Sequence, residues 1–203
     1  MDEVRRPWQP IPPHQVATWF RAFPGRWWIA GGWALDLYLR HPTRLHDDTD
    51  ILILRQDVQH IHHAFPGWTI MAADPPGTLR RWHGDEQLPD HVHDIWCRRA
   101  TSDSWEFQFM VMDSSDDRWL FRRDHRISGQ LADLNDVLDG IPILAPEVQL
   151  LYKATSRQMR EKDTADLHRM VPHLTDKRRR WLRDAIAIID PGNPVLKIPG
   201  TRP

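Results

Sequence analysis

The stretch 27-WWIAGGWALDLYLRHPTRLHDDTDILIL-54 decides how the rest of the chain is read. An apolar strand over 26–30 turns at Gly31-Gly32 into a helix over about 33–40. The chain then crosses a polar segment rich in aspartate and closes on Ile51, Leu52, Ile53 and Leu54. Four consecutive apolar residues predict a strand covered on both faces. Two features do not serve that core. Glycines lack a Cβ, so backbone N–H groups there can approach a ligand closely, and a helix N-terminus favours anions; a plain tight turn uses the same pair. Asp48 and Asp50 stand two residues apart at the mouth of the strand, so their side chains leave the same face. Close carboxylates repel each other unless a cation lies between them, and paired oxygen ligands suit Mg²⁺ carrying substrate phosphates. The structural alternative is a capped turn in which Asp47 or Asp48 accepts from backbone N–H groups.

Outward from this stretch, Val16, Trp19, Phe20 and Phe23 follow helical spacing and predict a helix over about 13–23. Val58, Ile61 and Phe65 mark a short helix that ends at Pro66-Gly67, and 68–73 reads as a strand. From 78 to 128 the pattern becomes strands divided by polar turns. In one of them Trp105, Phe107, Phe109 and Val111 alternate with Glu106, Gln108, Met110 and Met112, which gives one core face and one partly polar face. Pro146 suits the first turn of a helix. Further helices are expected over about 161–171 and 176–190. The expected division is an α/β part over 1–143 and a helical segment over 144–203.

Composition narrows the partners. The chain has 203 residues, enough for one substantial core. Its 27 basic and 28 acidic residues nearly cancel, which makes a nucleic-acid partner unlikely. No apolar run approaches the roughly 20 residues of a membrane helix, and the N-terminal residues lack the apolar segment of a signal peptide. Cys97 is the single cysteine, so no internal disulfide is expected and a reducing, cytoplasmic location fits. The 11 Trp are expected mainly to fill core, with a minority available to stack on a ligand ring.

The Gly-Gly turn, the helix and the Asp-x-Asp strand together resemble the DNA polymerase β-type nucleotidyltransferase superfamily. Trp28, Gly31, Gly32, Trp33, Asp36, Arg44, His46, Asp48 and Asp50 narrow the likeness to the aminoglycoside 2''-adenylyltransferase type. The resemblance is specific over 27–54 and looser beyond. It implies a nucleotidyltransferase fold of the α/β (α+β) class, with a mixed sheet flanked by helices and a C-terminal helical segment. It also implies a Mg²⁺-dependent enzyme moving AMP from ATP to a hydroxyl of a small acceptor, with an aminoglycoside as the family's suggestion. By that resemblance Gly31 and Gly32 hold the triphosphate, Asp48 and Asp50 bind one or two Mg²⁺ ions, and a third carboxylate on a later strand completes the site. Arg44 is expected either to contact phosphate or to hold its loop.

The third carboxylate is where the sequence departs from the family, because Gln108 occupies the aligned position. Glu106, two residues away on the same face, is the expected substitute, with Asp94 and Asp113 as lesser candidates. Lys153 is expected to reach the triphosphate, the alternative being a solvated side chain. Arg160, Lys162, Asp163 and Asp166 read as pairs on a helix surface. The histidines at 60–63 and 91–93 lack a spacing that completes a transition-metal site. Two rivals stand beside the small-molecule transferase: a toxin-like enzyme acting on protein or RNA, and a nucleotide-binding protein with lapsed catalysis.

Overall fold

The computed structural model describes residues 3–198. The chain runs through α1 (Pro13–Trp19), β1 (Trp27–Ile29), α2 (Gly31–Leu39), β2 (Asp50–Leu54), α3 (Ile61–Ala64), β3 (Trp68–Ala72), β4 (Arg80–Arg81) and β5 (Asp94–Arg99). It continues through β6 (Phe107–Ser115), β7 (Arg118–Leu120), β8 (Ser128–Gln130), β9 (Asn135–Leu138), β10 (Ile141–Leu144), α4 (Pro146–Ala154), α5 (Glu161–Met170) and α6 (Asp176–Ile189). The strands form one mixed sheet in the order β4-β3-β5-β6-β2-β1-β10-β9, with β7 pairing to the far end of β6 and β8 pairing to β7. Two pairings are parallel, β2 with β6 and β1 with β10; the remainder are antiparallel.

The apolar run of β2 lies near the middle of this sheet and is covered on both faces. Ile51 and Ile53 enter a core with α1, α3, Phe107 and Phe109, while Leu52 and Leu54 enter a core with α4, α5 and α6. All four have 0% exposure. Burying four such side chains contributes about 6–12 kcal/mol before entropic costs. A strand held this firmly fixes what stands at its end, Asp50.

The expected helices and the central strands occur close to their expected bounds. The region between β7 and α4 differs: three strands, β8, β9 and β10, occupy it, and β10 pairs with β1 through Ile29 and Ile143. No helix among the described residues is long and apolar enough to cross a membrane.

Candidate active site

Asp48 and Asp50 open into a polar cavity of about 170 Å³ between the ends of β2, β5 and β6 and the helices α4 and α5. A larger, more apolar cleft of about 630 Å³ lies beside Trp33 and Leu37, and the aspartate pair does not line it. The loop that carries the pair is clamped from several sides. Thr49, between the two acids, is fully buried and donates to Ile11 O at 2.9 Å. The Asp50 carbonyl accepts from Ala30 N–H, and the Thr49 carbonyl accepts from Gln108 N–H, both at 2.9 Å.

Gly31 begins α2 directly beneath this pair. Its φ of +64° favours glycine, and a Cβ there would collide with Asp50 Oδ2. Its N–H donates to Gln149 Oε1 of α4 at 2.7 Å, a bond that ties the Gly-Gly turn to the C-terminal helices. Gly32 is held close for a different reason, since a Cβ would run into the His46 ring and Arg44 Nη2.

The register explains Gln108. It sits opposite Asp50 in the parallel β2–β6 pairing, and its amide nitrogen donates to Asp50 Oδ1. Desolvation at the cavity wall, followed by the neighbouring Asp48 charge, pushes the Asp50 carboxyl up to about 7; the Gln108 hydrogen bond and the Lys153 charge pull the other way. Two carboxylates under this mutual strain are a site that favours a cation. Among the described residues no group of three His, Cys, Asp or Glu side chains is arranged to hold a metal. The hard oxygens of Asp48 and Asp50 are of the kind that could hold a divalent cation such as Mg²⁺, which is bound by one or two carboxylates with phosphate oxygens and water completing its shell.

Glu106 is not brought to the cavity. Its carboxylate is fully buried, accepts from Arg99 N–H at 2.7 Å and pairs with the Arg99 guanidinium at 2.5 and 2.8 Å. This corrects the expectation that Glu106 stands in at the site: it braces the β5–β6 hairpin instead. Of the three acids weighed for the third carboxylate, Asp94 is the one that reaches the cavity, and its strand register sets it opposite Met110, two residues along β6 from Gln108 on the same face. Arg122 Nη1 donates to Asp94 Oδ2 at 3.3 Å. Asp113, the other candidate, is paired with Arg55.

Lys153 lines the cavity and is 7% exposed, so the solvated alternative fails. Its ammonium lies 3.0 Å from Asp163 Oδ1 and 2.9 Å from Asp166 Oδ2. Those two acids were expected on a helix surface; they are 1% and 2% exposed, and Arg160 and Asp163 line the cavity themselves. Arg44 stays outside the cavity lining and reaches Asp166 at 3.3 Å, so it holds its loop against α5. His46 likewise holds Asp36, at 2.6 Å. Arg122, Arg123, Tyr152 and Gln149 also face the cavity. Only their place after β7 and on the inner side of α4 reveals them, and sequence reasoning missed all four. No Trp lines it. Trp8, Trp96 and Trp105 pack together, as do Trp19 with Trp68 and Trp119 with Trp181.

The sequence profile of aminoglycoside-2''-adenylyltransferase matches residues 14–170. The chain belongs to the aminoglycoside-2''-adenylyltransferase family. The matched region runs from α1 to the end of α5 and so includes every residue of the cavity. Solved structures share this family's nucleotidyltransferase fold. ANT(2'')-Ia in complex with adenylyl-2''-tobramycin aligns with a TM-score of 0.54 at 15% identity, over 87% of this chain and 95% of that one. The lincosamide adenylyltransferase LnuA, lincomycin-bound, aligns with a TM-score of 0.53 at 17% identity, over 79% and 94%. No curated protein sequence matches the chain. As a member of the adenylyltransferase family the chain is a nucleotidyltransferase by kinship, and the Gly-Gly turn and Asp-x-Asp strand are where the family resemblance was legible.

Proposed function

We propose that this protein transfers AMP from ATP to a hydroxyl group of a small molecule, an antibiotic of the kind its family modifies. The observation that carries the reading is the Asp48–Asp50 pair, opening with Gly31 into a cavity whose opposite wall holds Lys153 and Arg160. Asp48 and Asp50 would hold Mg²⁺, which when bound neutralises charge on the triphosphate. Gly31 lets the phosphates approach the N-terminus of α2, whose dipole favours anions, while Gly32 gives room to His46 and Arg44 behind it. The Gly31 N–H itself is engaged by Gln149, so the turn contributes space and dipole more than a free donor. Lys153 and Arg160 add positive charge where the triphosphate lies. The acceptor oxygen forms its bond to the α-phosphorus as the bond from that phosphorus to the β-phosphate oxygen breaks, and the electron pair leaves with pyrophosphate. The hydroxyl proton passes to Asp94 Oδ1, the carboxylate oxygen not engaged by Arg122, and then to water. Catalysis of this type is mostly positioning and electrostatics.

Support comes from the family match, and from the fold neighbours, which bind adenylyl-tobramycin and lincomycin and so show one fold serving two hydroxylated antibiotics. Mass spectrometry of reactions containing ATP, Mg²⁺ and a panel of antibiotics tests it. A +AMP adduct that disappears with EDTA is expected. Tight Mg-ATP binding with no adduct on any acceptor would favour the lapsed-catalysis reading, for which Gln108 in place of a carboxylate is the specific observation.

A further inference from the structure

The Gly-Gly turn and helix α4 meet at one hydrogen bond, from Gly31 N–H to Gln149 Oε1 at 2.7 Å. That bond fixes which way the Gln149 amide faces. A backbone N–H can only donate, so the atom that meets it is the amide oxygen, and the NH₂ group lies on the other side. Gln149 is 3% exposed and lines the same cavity as Asp48, Asp50 and Gly31. Among the described residues it makes this one side-chain hydrogen bond, and its Nε2 donates to no protein group. A nearly buried amide nitrogen with two donors and no partner is costly, and the open space beside Gln149 is the cavity. The oxygen, the only atom of this side chain able to ligate a cation, is occupied. The free end asks for an acceptor, and beside the N-terminus of a helix an anionic one is favoured.

We infer that Gln149 is a triphosphate-binding residue, whose Nε2 donates to a phosphate oxygen of the nucleotide. The inference rests on the adenylyl-transfer reading above and adds a phosphate donor to it. The Gly31 N–H that a phosphate would otherwise take is engaged, and Gln149 passes the donor on. Its amide accepts from the first N–H of α2 and donates from its far end, so the N-terminal dipole of that helix reaches one side chain further. An amide that accepts at one end is a better donor at the other, because successive hydrogen bonds polarise one another. Gly31 is the shared neighbour of this donor and the acids: its N–H meets Gln149, and its missing Cβ leaves room for Asp50 Oδ2. Metal ligand and amide donor thus border one turn. A Gln149 that only braced α2 against α4 would need its oxygen alone, and a carboxylate in its place would serve Gly31 N–H equally well.

Two variants separate binding from bracing. Gln149→Glu keeps an acceptor for Gly31 N–H and removes the NH₂ donors; Gln149→Met keeps the volume and removes both. Calorimetric titrations of the full chain use Mg-ATP, Mg-tripolyphosphate and Mn²⁺ alone, with a thermal melt on each protein. Gln149→Glu is expected to melt near the wild type and to bind Mn²⁺ at least as tightly. Its affinity for both Mg-ATP and Mg-tripolyphosphate should fall at least about 10-fold, the size of a hydrogen bond to a charged group. Gln149→Met should melt lower and show the same loss with no charge added. Either variant, folded and holding Mg-ATP as the wild type does, overturns the inference while leaving adenylyl transfer intact. A loss for Mg-ATP with none for Mg-tripolyphosphate also overturns it, since the amide would then serve the nucleoside. Mn²⁺ weakened in step with the phosphates in Gln149→Glu would place the defect at the aspartate pair and overturn it as well. If Gln149→Met does not fold, Gln149→Glu decides alone. If the wild type binds neither Mg-ATP nor Mg-tripolyphosphate, the transferase reading fails and this inference falls with it.

Discussion

At the scale of single residues, Gln108 faces the aspartate pair. It stands at the register position opposite Asp50 and donates a hydrogen bond to Asp50 Oδ1. An amide there can orient but cannot take a proton at neutral pH. The nearest acid in sequence, Glu106, is engaged by Arg99, and the acid that the neighbouring strand β5 adds to the cavity is Asp94. Two substitutions separate these roles. Asp94→Asn should lower kcat by about 10²–10⁴-fold with little change in KM for ATP, the loss expected of a proton acceptor. Glu106→Gln should leave kcat near the wild-type value and instead lower stability by about 1–2 kcal/mol, because a buried charge-assisted pair is weakened. Steady-state kinetics with a denaturant melt on each variant checks both. The reverse pattern, a stable but inactive Glu106→Gln beside an active Asp94→Asn, would return the role to Glu106.

At the scale of elements, α4 and α5 are joined by a buried charge cluster that also forms the cavity wall. Burial alone would raise the Asp163 carboxyl, but the Arg160 hydrogen bond and the Lys153 charge outweigh it and hold the group at about 2; Asp166 is lowered by Lys153 and Arg44 against the same burial. A carboxyl depressed in the folded state protonates first in the unfolded chain. Its stabilisation is therefore complete above roughly pH 5 and is lost as pH falls toward 2, a contribution of up to about 2 kcal/mol from Asp163. Thermal melts followed by circular dichroism from pH 6 to 2.5 should show this loss, and Asp163→Asn should be less stable at pH 6 yet show a shallower acid slope. Parallel slopes would contradict the cluster's role. The pairing of Arg160 with Asp163, three residues apart, was legible in the sequence, but the burial of the cluster and its link to α4 were not. The counter-charges of Lys153 lie 10 and 13 residues further on, on a helix whose hydrophilic composition looked solvent-facing. The strands β8, β9 and β10 escaped for another reason: each has three or four residues, β10 contains Pro142, and the partner that makes β10 a strand is β1, more than a hundred residues earlier. By contrast β1, α2 and β2 were legible, because a Gly-Gly turn and a four-residue apolar run act locally.

At the scale of the whole molecule, the sheet brings together sites that are far apart in the chain. The parallel pairing of β2 with β6 sets Asp50 against Gln108, the antiparallel pairing of β6 with β5 adds Asp94, and the helices packed on Leu52 and Leu54 deliver Gln149, Lys153 and Arg160. The motif legible at 27–54 is thus one wall of a cavity whose other walls come from the second half of the chain. The account stands on that cavity binding Mg-ATP through its aspartate pair. Isothermal titration of ATP into the wild type and into Asp50→Asn, each with and without Mg²⁺, measures this directly. The account predicts binding that requires Mg²⁺ in the wild type and is weakened at least about 10-fold, or about 1.4 kcal/mol, in Asp50→Asn. Equal Mg-ATP affinity in the two proteins, or affinity indifferent to Mg²⁺, would contradict it.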